Sequence, residues 1–277
     1  MKKLISVILA VVMMCTLFVP AFAQQEEKTK FVLLGDSIAR GHGLISIETQ
    51  SYGAIVSEAE GYNYVNYAVD GHTTQDLYQR LKDKKVAADV SSADIIGVSI
   101  GGNNFLHGDI LDMIADSLLK NDFSSMEAIG AEFRESFVLA VGKIKELNPK
   151  ATLLMQTLYN PASGLLKETY QYAVDIINDT IKDVLLQQPG AYVIVDVASA
   201  FASGTGYIQA DTIHPNAAGH YVIAQEYVKV LFKLGLGNVK SLDSASSDDG
   251  INAILDFLNK IADIFRNIIY KIKSLFI

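Results

Sequence analysis

Cysteine occurs once in the chain, at Cys15, which excludes a disulfide framework, a cysteine-rich zinc site and a CxxC redox pair. Basic residues are in deficit too. The 23 Lys and Arg face 31 Asp and Glu, a formal net charge of -8 that the five His hardly change at pH 7. A nucleic-acid binder needs a basic face to release counterions from phosphates, and this balance disfavours one. Proline is scarce, at 5, and the 20 glycines follow no collagen-like period. With 50% hydrophobic and 19% charged residues, wholesale disorder is excluded as well. What remains is a globular chain of 277 residues, enough for one large domain or two small ones.

The first segment reads as an address. Lys2 and Lys3 precede an apolar run from Leu4 to Val19, followed by Pro20-Ala21-Phe22-Ala23. A basic start, an apolar stretch and a small-x-small ending make a secretory signal peptide over residues 1–23, cut after Ala23. The alternatives are a retained anchor, for which sixteen residues fall just short of a span, and a lipoprotein cut at Cys15, where Met14 is large for the preceding position. Removing residues 1–23 takes away Cys15, two lysines and no acid, so net charge drops from -8 to -10. An acidic, cysteine-free exported chain suits a secreted or cell-surface bacterial protein that does without disulfides.

From Lys30 onward, strand and helix patterns alternate. Short apolar runs at 31–34, 62–67, 94–100, 151–156 and 192–195 read as strands. Helical patterns cover 52–60, 74–84, 109–120, 125–147, 165–187 and 216–233. Five strands separated by helices predict an α/β fold with a five-stranded parallel sheet and helices on both faces, an α/β/α sandwich over residues 28–238. Ligands bind such sheets beyond the carboxyl ends of the strands, so chemistry is sought just after each apolar run.

Gly35-Asp36-Ser37 follows the first run, and Asp211-Thr212-Ile213-His214-Pro215 follows the last. A serine hydroxyl becomes a nucleophile when a histidine takes its proton and a carboxylate orients that imidazole. Ser37, His214 and Asp211 supply the three groups, with the acid and base close enough to share one loop. Two further strand ends, Ala68-Val69-Asp70-Gly71 and Gly101-Gly102-Asn103-Asn104, offer donors for a developing oxyanion. The backbone N–H groups of Ser37 and Gly71 and the side-chain amide of Asn103 make three. Asn104, Tyr159 and Asn160 are the candidate substrate contacts, and loops 105–125 and 159–170 are expected to set the depth of the acyl pocket.

These blocks, in this order, resemble the SGNH/GDSL hydrolases over roughly residues 30–233. The resemblance implies a flavodoxin-like sheet with Ser37 as nucleophile, His214 as base, Asp211 as the orienting acid, and Gly71 and Asn103 as oxyanion donors. It implies an esterase, lipase, thioesterase or carbohydrate deacetylase acting on a small-molecule, lipid or carbohydrate ester, with no metal or other cofactor. One position departs from the family pattern: Asn104 stands where the third block usually carries Asp, which predicts altered bonding in that loop.

Other residues read as supporting groups. Gly97-Val98-Ser99-Ile100-Gly101 matches the nucleophile elbow of α/β-hydrolases. An elbow needs a sharp turn at its serine, however, and here Ile96, Val98 and Ile100 alternate through Ser99, which reads as a buried strand residue. His42, His72, His107 and His220 lack an HExxH motif or a His/Asp cluster in sequence and read as surface or supporting groups, not metal ligands. Asp36 reads as a backbone-bonding turn residue.

Residues 239–250 are small and polar and read as a linker. Beyond them Ile251, Ile254, Leu255, Leu258, Ile261, Phe265, Ile268, Ile269 and Ile272 keep helical spacing, with Asn252, Asp256, Asp263, Arg266 and Lys271 opposite. This predicts a C-terminal amphipathic helix over 251–277, suited to packing on the domain, on a second copy or on a membrane surface. Functionally, the sequence predicts a secreted serine ester hydrolase. The rival readings are a polysaccharide O-deacetylase and a catalytically weak exported binding module on the same fold.

Overall fold

The computed structural model describes residues 28–242 and Arg266. The signal-peptide segment 1–23, linker residues 243–250 and all of the 251–277 segment except Arg266 lie outside the described residues.

Five strands form one sheet: β1 (Lys30–Gly35), β2 (Asn63–Asn66), β3 (Ile95–Ser99), β4 (Thr152–Gln156) and β5 (Val193–Val195). They run in the order β2-β1-β3-β4-β5, and every pairing is parallel. This is the flavodoxin-like order, in which the chain reverses its direction of winding between β1 and β3. Successive residues of a strand face opposite sides, yet Phe31, Val32, Leu33 and Leu34 of β1 are all fully buried. Both faces of the sheet are therefore covered, which is what parallel strands require. On the Phe31 side, the ring lies 6.4 Å from Tyr227 of helix Ala217–Lys233, which packs beside helix Tyr52–Glu60. Helices Thr74–Arg80, Lys84–Ser91, Ser124–Leu147 and Lys167–Gln187 form a separate packed group.

Most predicted elements appear within a residue or two of their expected bounds. The exception is the 74–84 pattern, which is two helices, Thr74–Arg80 and Lys84–Ser91. Asp83 separates them by turning its carboxylate onto the backbone N–H groups of Lys85 and Val86, an N-cap that starts the second helix. Only Val86 and Val90 of that helix are buried, too few apolar positions to announce it against its charged neighbours.

The domain also extends beyond residue 238. Glu60 accepts from the backbone N–H groups of Asn238 and Val239, Tyr221 and Gln225 donate to the carbonyl of Leu242, and Val239 and Leu242 pack against the core. The first four residues read as linker are thus held on the domain.

Candidate active site

The end of β1 is built to press against β3. Gly35 sits at φ +130°, and a β-carbon there would lie 1.9 Å from the carbonyl oxygen of Ser99, so only glycine fits. That close approach lets the N–H of Asp36 donate to the same Ser99 oxygen at 3.0 Å. Asp36 then caps the short helix Ser37–Arg40, accepting the N–H of Ile38 at 3.0 Å, as its turn chemistry predicts. The capped turn carries Ser37 out at the carboxyl edge of the sheet. Burial raises the carboxyl of Asp36 to about 7, although the Ile38 N–H and the charge of His214 pull the other way.

Ser37 meets a histidine from the far end of the chain. Its Oγ lies 2.8 Å from Nε2 of His214, and Nδ1 of His214 lies 2.7 Å from Oδ2 of Asp211. The other carboxylate oxygen of Asp211 accepts the backbone N–H groups of Ile213 and His214, both at 3.0 Å. Desolvation pushes the Asp211 carboxyl up, but the hydrogen bond from the His214 ring, those two N–H donors and the charge of His214 outweigh it and hold the group near about 2. Thr212 inside this turn takes φ 65°, a left-handed conformation uncommon for a β-branched residue. With an ionised Asp211 on Nδ1, that nitrogen is a donor, and Nε2 keeps the lone pair that can take a proton from Ser37.

The neighbouring loops are stitched to this corner. Val69 donates to the carbonyl of Gly35 at 3.0 Å, which brings the Asp70-Gly71 turn to the end of β1. Gly71 takes φ +79° in that turn. Buried Asn103, in helix Gly102–Leu106 after β3, donates one side-chain N–H to the carbonyl of His72 at 3.0 Å, leaving its second N–H for another acceptor. Ser37, Gly71 and Asn103 thus stand at the ends of three adjacent strands.

Beside them lies an apolar pocket. Ile38 and Ile213, the residues flanking Ser37 and His214, line it together with Phe105, Met113, Ile114, Leu158 and Tyr159. Tyr159 is among these lining residues, stacked on Phe201 with its hydroxyl donating to the carbonyl of Ile213 at 2.7 Å. The structure does not bring Asn104 or Asn160 to this pocket. Asn104 accepts the N–H of Thr74 and donates to its Oγ1, fastening helix Thr74–Arg80 instead. Asn160 donates to the carbonyl of Lys167 and to Gln171, in a separate polar groove. Ser99 is wholly buried at the end of β3, with its backbone paired to Gly35. The glycine that precedes it in the elbow-like motif, Gly97, makes room for Leu33, whose side chain would come within 2.8 Å of a β-carbon there.

Gln209 escaped the sequence reading, as did the contacts that His42 and Asp70 make here. Gln209, buried, donates to the carbonyls of His42 and Pro215, both at 2.7 Å, and clamps the histidine loop onto the loop after Ser37. His42 lies against His214, ring centroids 4.5 Å apart, and its Nδ1 is 2.8 Å from Oδ2 of Asp70. Asp70 also accepts from Arg40. No local pattern marks these contacts, because residues 42 and 214 are brought together only by the fold. His220, by contrast, is fully buried under Tyr52, where burial first and then the charge of His214 hold it down to about 3.

Residues 33–222 match the sequence model of the GDSL-like Lipase/Acylhydrolase family. An uncharacterized protein of Bacillus subtilis (strain 168), YpmR, is 26% identical over 76% of this chain and 86% of its own length. A lipase from a goat rumen metagenome, Lip_vut3, superimposes with a TM-score of 0.60 at 20% identity, over 76% of this chain and 99% of that one. Phospholipase A1 from Streptomyces albidoflavus NA297 does so with a TM-score of 0.57 at 20% identity, over 74% and 99%. At these identities the structural likeness speaks for the fold.

Proposed function

Because the chain belongs to the GDSL-like lipase/acylhydrolase family and is thereby a carboxylic ester hydrolase, we propose that it cleaves apolar acyl esters through Ser37, His214 and Asp211. The hydrogen-bonded chain from Ser37 through His214 to Asp211, set against an apolar pocket, is the observation that carries this reading. Ser37 Oγ attacks the ester carbonyl while Nε2 of His214 takes its proton, and Asp211 stabilises the imidazolium that forms. The N–H groups of Ser37 and Gly71 and the free amide N–H of Asn103 receive the oxyanion. Collapse expels the alkoxide, which His214 protonates. The same histidine then activates water to release the acyl group.

The pocket's chemistry favours long or bulky acyl chains over acetyl groups. Its lining offers almost no polar atom, and helix Ile110–Lys120, which contributes Ile110, Met113 and Ile114 to it, leaves Leu111 and Leu119 exposed at 79% and 82%. A phospholipase or lipase substrate, as named for the similar structures, fits such a surface. An ester panel of graded chain length, with acetylated xylan and peptidoglycan included, tests this. Hydrolysis rising with acyl length is expected, acetate release alone identifies a deacetylase, and no turnover with any ester identifies a binding module.

Residues 1–23 are read as a signal peptide on their sequence pattern, giving an exported protein. Among the described residues, no helix is long and apolar enough to cross a membrane. The mature N-terminus, read by mass spectrometry, should begin at Gln24. Of the amphipathic segment 251–277 only Arg266 is described, and it donates to the carbonyl of Gly43 at 2.6 Å. Flotation with liposomes, with and without residues 250–277, tests whether the segment serves a membrane surface: a difference supports that use, and no difference supports packing on protein.

A further inference from the structure

A ring nitrogen of His42, a ring nitrogen of His214 and a carboxylate oxygen of Asp211 all lie within 4.8 Å of one another. The geometry points to a second use of this corner: His42, Asp211 and His214 form an inhibitory site for a zinc-class divalent cation.

Two imidazoles and a carboxylate are a donor set for zinc, copper, nickel or cobalt, whereas magnesium and calcium take all-oxygen sites. His42 is prepared for the role by an outer carboxylate. The Asp70 carboxylate, already engaged by Arg40, accepts from Nδ1 of His42, so Nδ1 carries the proton and Nε2 holds a lone pair. Ligating histidines recur with this carboxylate behind them, because it fixes the tautomer and the ring orientation. Access is open, since the side chains of His42 and Asp211 are 44% and 32% exposed. Tetrahedral zinc, with ligands at about 2.1 Å, needs donor atoms about 3.4 Å apart. With no donor pair more than 4.8 Å apart, the shifts needed are on the order of 1 Å, small enough for the partly exposed His42 and Asp211 side chains to supply while Nδ1 of His42 stays on Asp70.

Inhibition follows from what His214 is already doing. Its Nε2 is engaged by Ser37 and its Nδ1 by Asp211. Whichever nitrogen a metal takes, one of these two hydrogen bonds is lost, and with it either the base or its orientation. The inhibitory half of the proposal rests on the ester-hydrolase reading above; the binding half does not.

Calorimetric titration of Zn²⁺ into the full chain tests the binding half, with His42→Gln and Asp70→Asn alongside and thermal melting as the check that each variant is folded. One-to-one binding is expected, weakened at least 10-fold by His42→Gln and between 10- and 100-fold by Asp70→Asn, the range for loss of an outer-shell partner. Unchanged zinc affinity in both folded variants overturns the site. The inhibitory half is read on ester hydrolysis, each variant compared with its own metal-free rate. Zn²⁺ should inhibit the native chain, Mg²⁺ should not, and His42→Gln should need at least 10-fold more Zn²⁺. Equal inhibition by both metals, or an unshifted Zn²⁺ dependence, contradicts it. A chain that binds zinc through His42 yet hydrolyses no ester refutes the hydrolase reading alone.

Discussion

Gly35 and Ser99 touch backbone to backbone at the switch point of the sheet, so closely that no β-carbon can stand between them. The contact fixes where the chain leaves β1, and thus where Ser37 emerges. Gly35→Ala should be severely destabilising, because the φ of +130° is itself costly and the clash is with main chain that cannot move aside. A loss of about 3 kcal/mol, near 6–12 °C in Tm for a domain of this size, is expected in a thermal melt. An unshifted melt would contradict the packing described.

Asn103 donates one N–H to the carbonyl of His72, and in the proposed mechanism its other N–H receives the oxyanion. Asn103→Ala should lower kcat on the order of 100- to 1000-fold with KM nearly unchanged. A raised KM at constant kcat would mean that the amide contributes ground-state binding only.

Through its side chain Gln209 holds the carbonyls of His42 and Pro215 together without bonding Ser37 or His214, while its backbone N–H donates to the carbonyl of His214 at 2.8 Å. Gln209→Ala leaves buried carbonyls without a donor and loosens the loop that carries His214. Hydrolysis should fall by about 10-fold or more, with a lower Tm, because small displacements of a catalytic group are expensive.

Asn104→Asp restores the residue usual in the family and should change activity by less than about 3-fold. The carboxylate can accept both the N–H and the hydroxyl of Thr74, the two groups that Asn104 now bonds, and neither belongs to the pocket. A large gain in turnover would place the residue's role at the site instead.

His220 and Asp36 give stability two opposed pH dependences. Folded His220 titrates near about 3 against 6.5 as a free group, so the unfolded chain binds its proton first and stability falls as pH drops from 6.5 toward 3. Folded Asp36 titrates near about 7 against 3.8, so the folded chain keeps a proton that the unfolded chain releases, and stability falls as pH rises from 3.8 to 7. Between pH 4.5 and 6.5 the two slopes oppose each other, while Asp211, lowered to about 2, acts only below this range. Asp36→Asn keeps the helix cap and should leave a stability that rises with pH. His220→Asn keeps an acceptor for the N–H of Tyr52 and should leave one that falls. Urea unfolding at several pH values checks both, and parallel curves for the two variants would refute the assignment.

How much of this was legible in the sequence follows from what holds each part. The strands of the sheet are continuous apolar runs, and the blocks around Ser37, Gly71, Asn103 and His214 stand at their ends, where turn residues are conspicuous. The helices Ser37–Arg40, Gly102–Leu106 and Val197–Ala202 are too short to show a period. Gln209 and His42 are joined across 167 positions, and Asp70 meets His42 only because Val69 is bonded to the end of β1. Such partners are chosen by tertiary contact, and a chain read residue by residue does not display them. Asn104 and Asn160 illustrate the converse: each is polar and at a strand end, and each spends its amide on a neighbouring helix.

The central claim is that Ser37 is the nucleophile. Labelling the intact protein with a fluorophosphonate and locating the adduct by peptide mass spectrometry tests it directly. The account predicts one adduct, on Ser37, absent in Ser37→Ala and retained in Ser99→Ala; an adduct on Ser99, or none on the folded native chain, would contradict it.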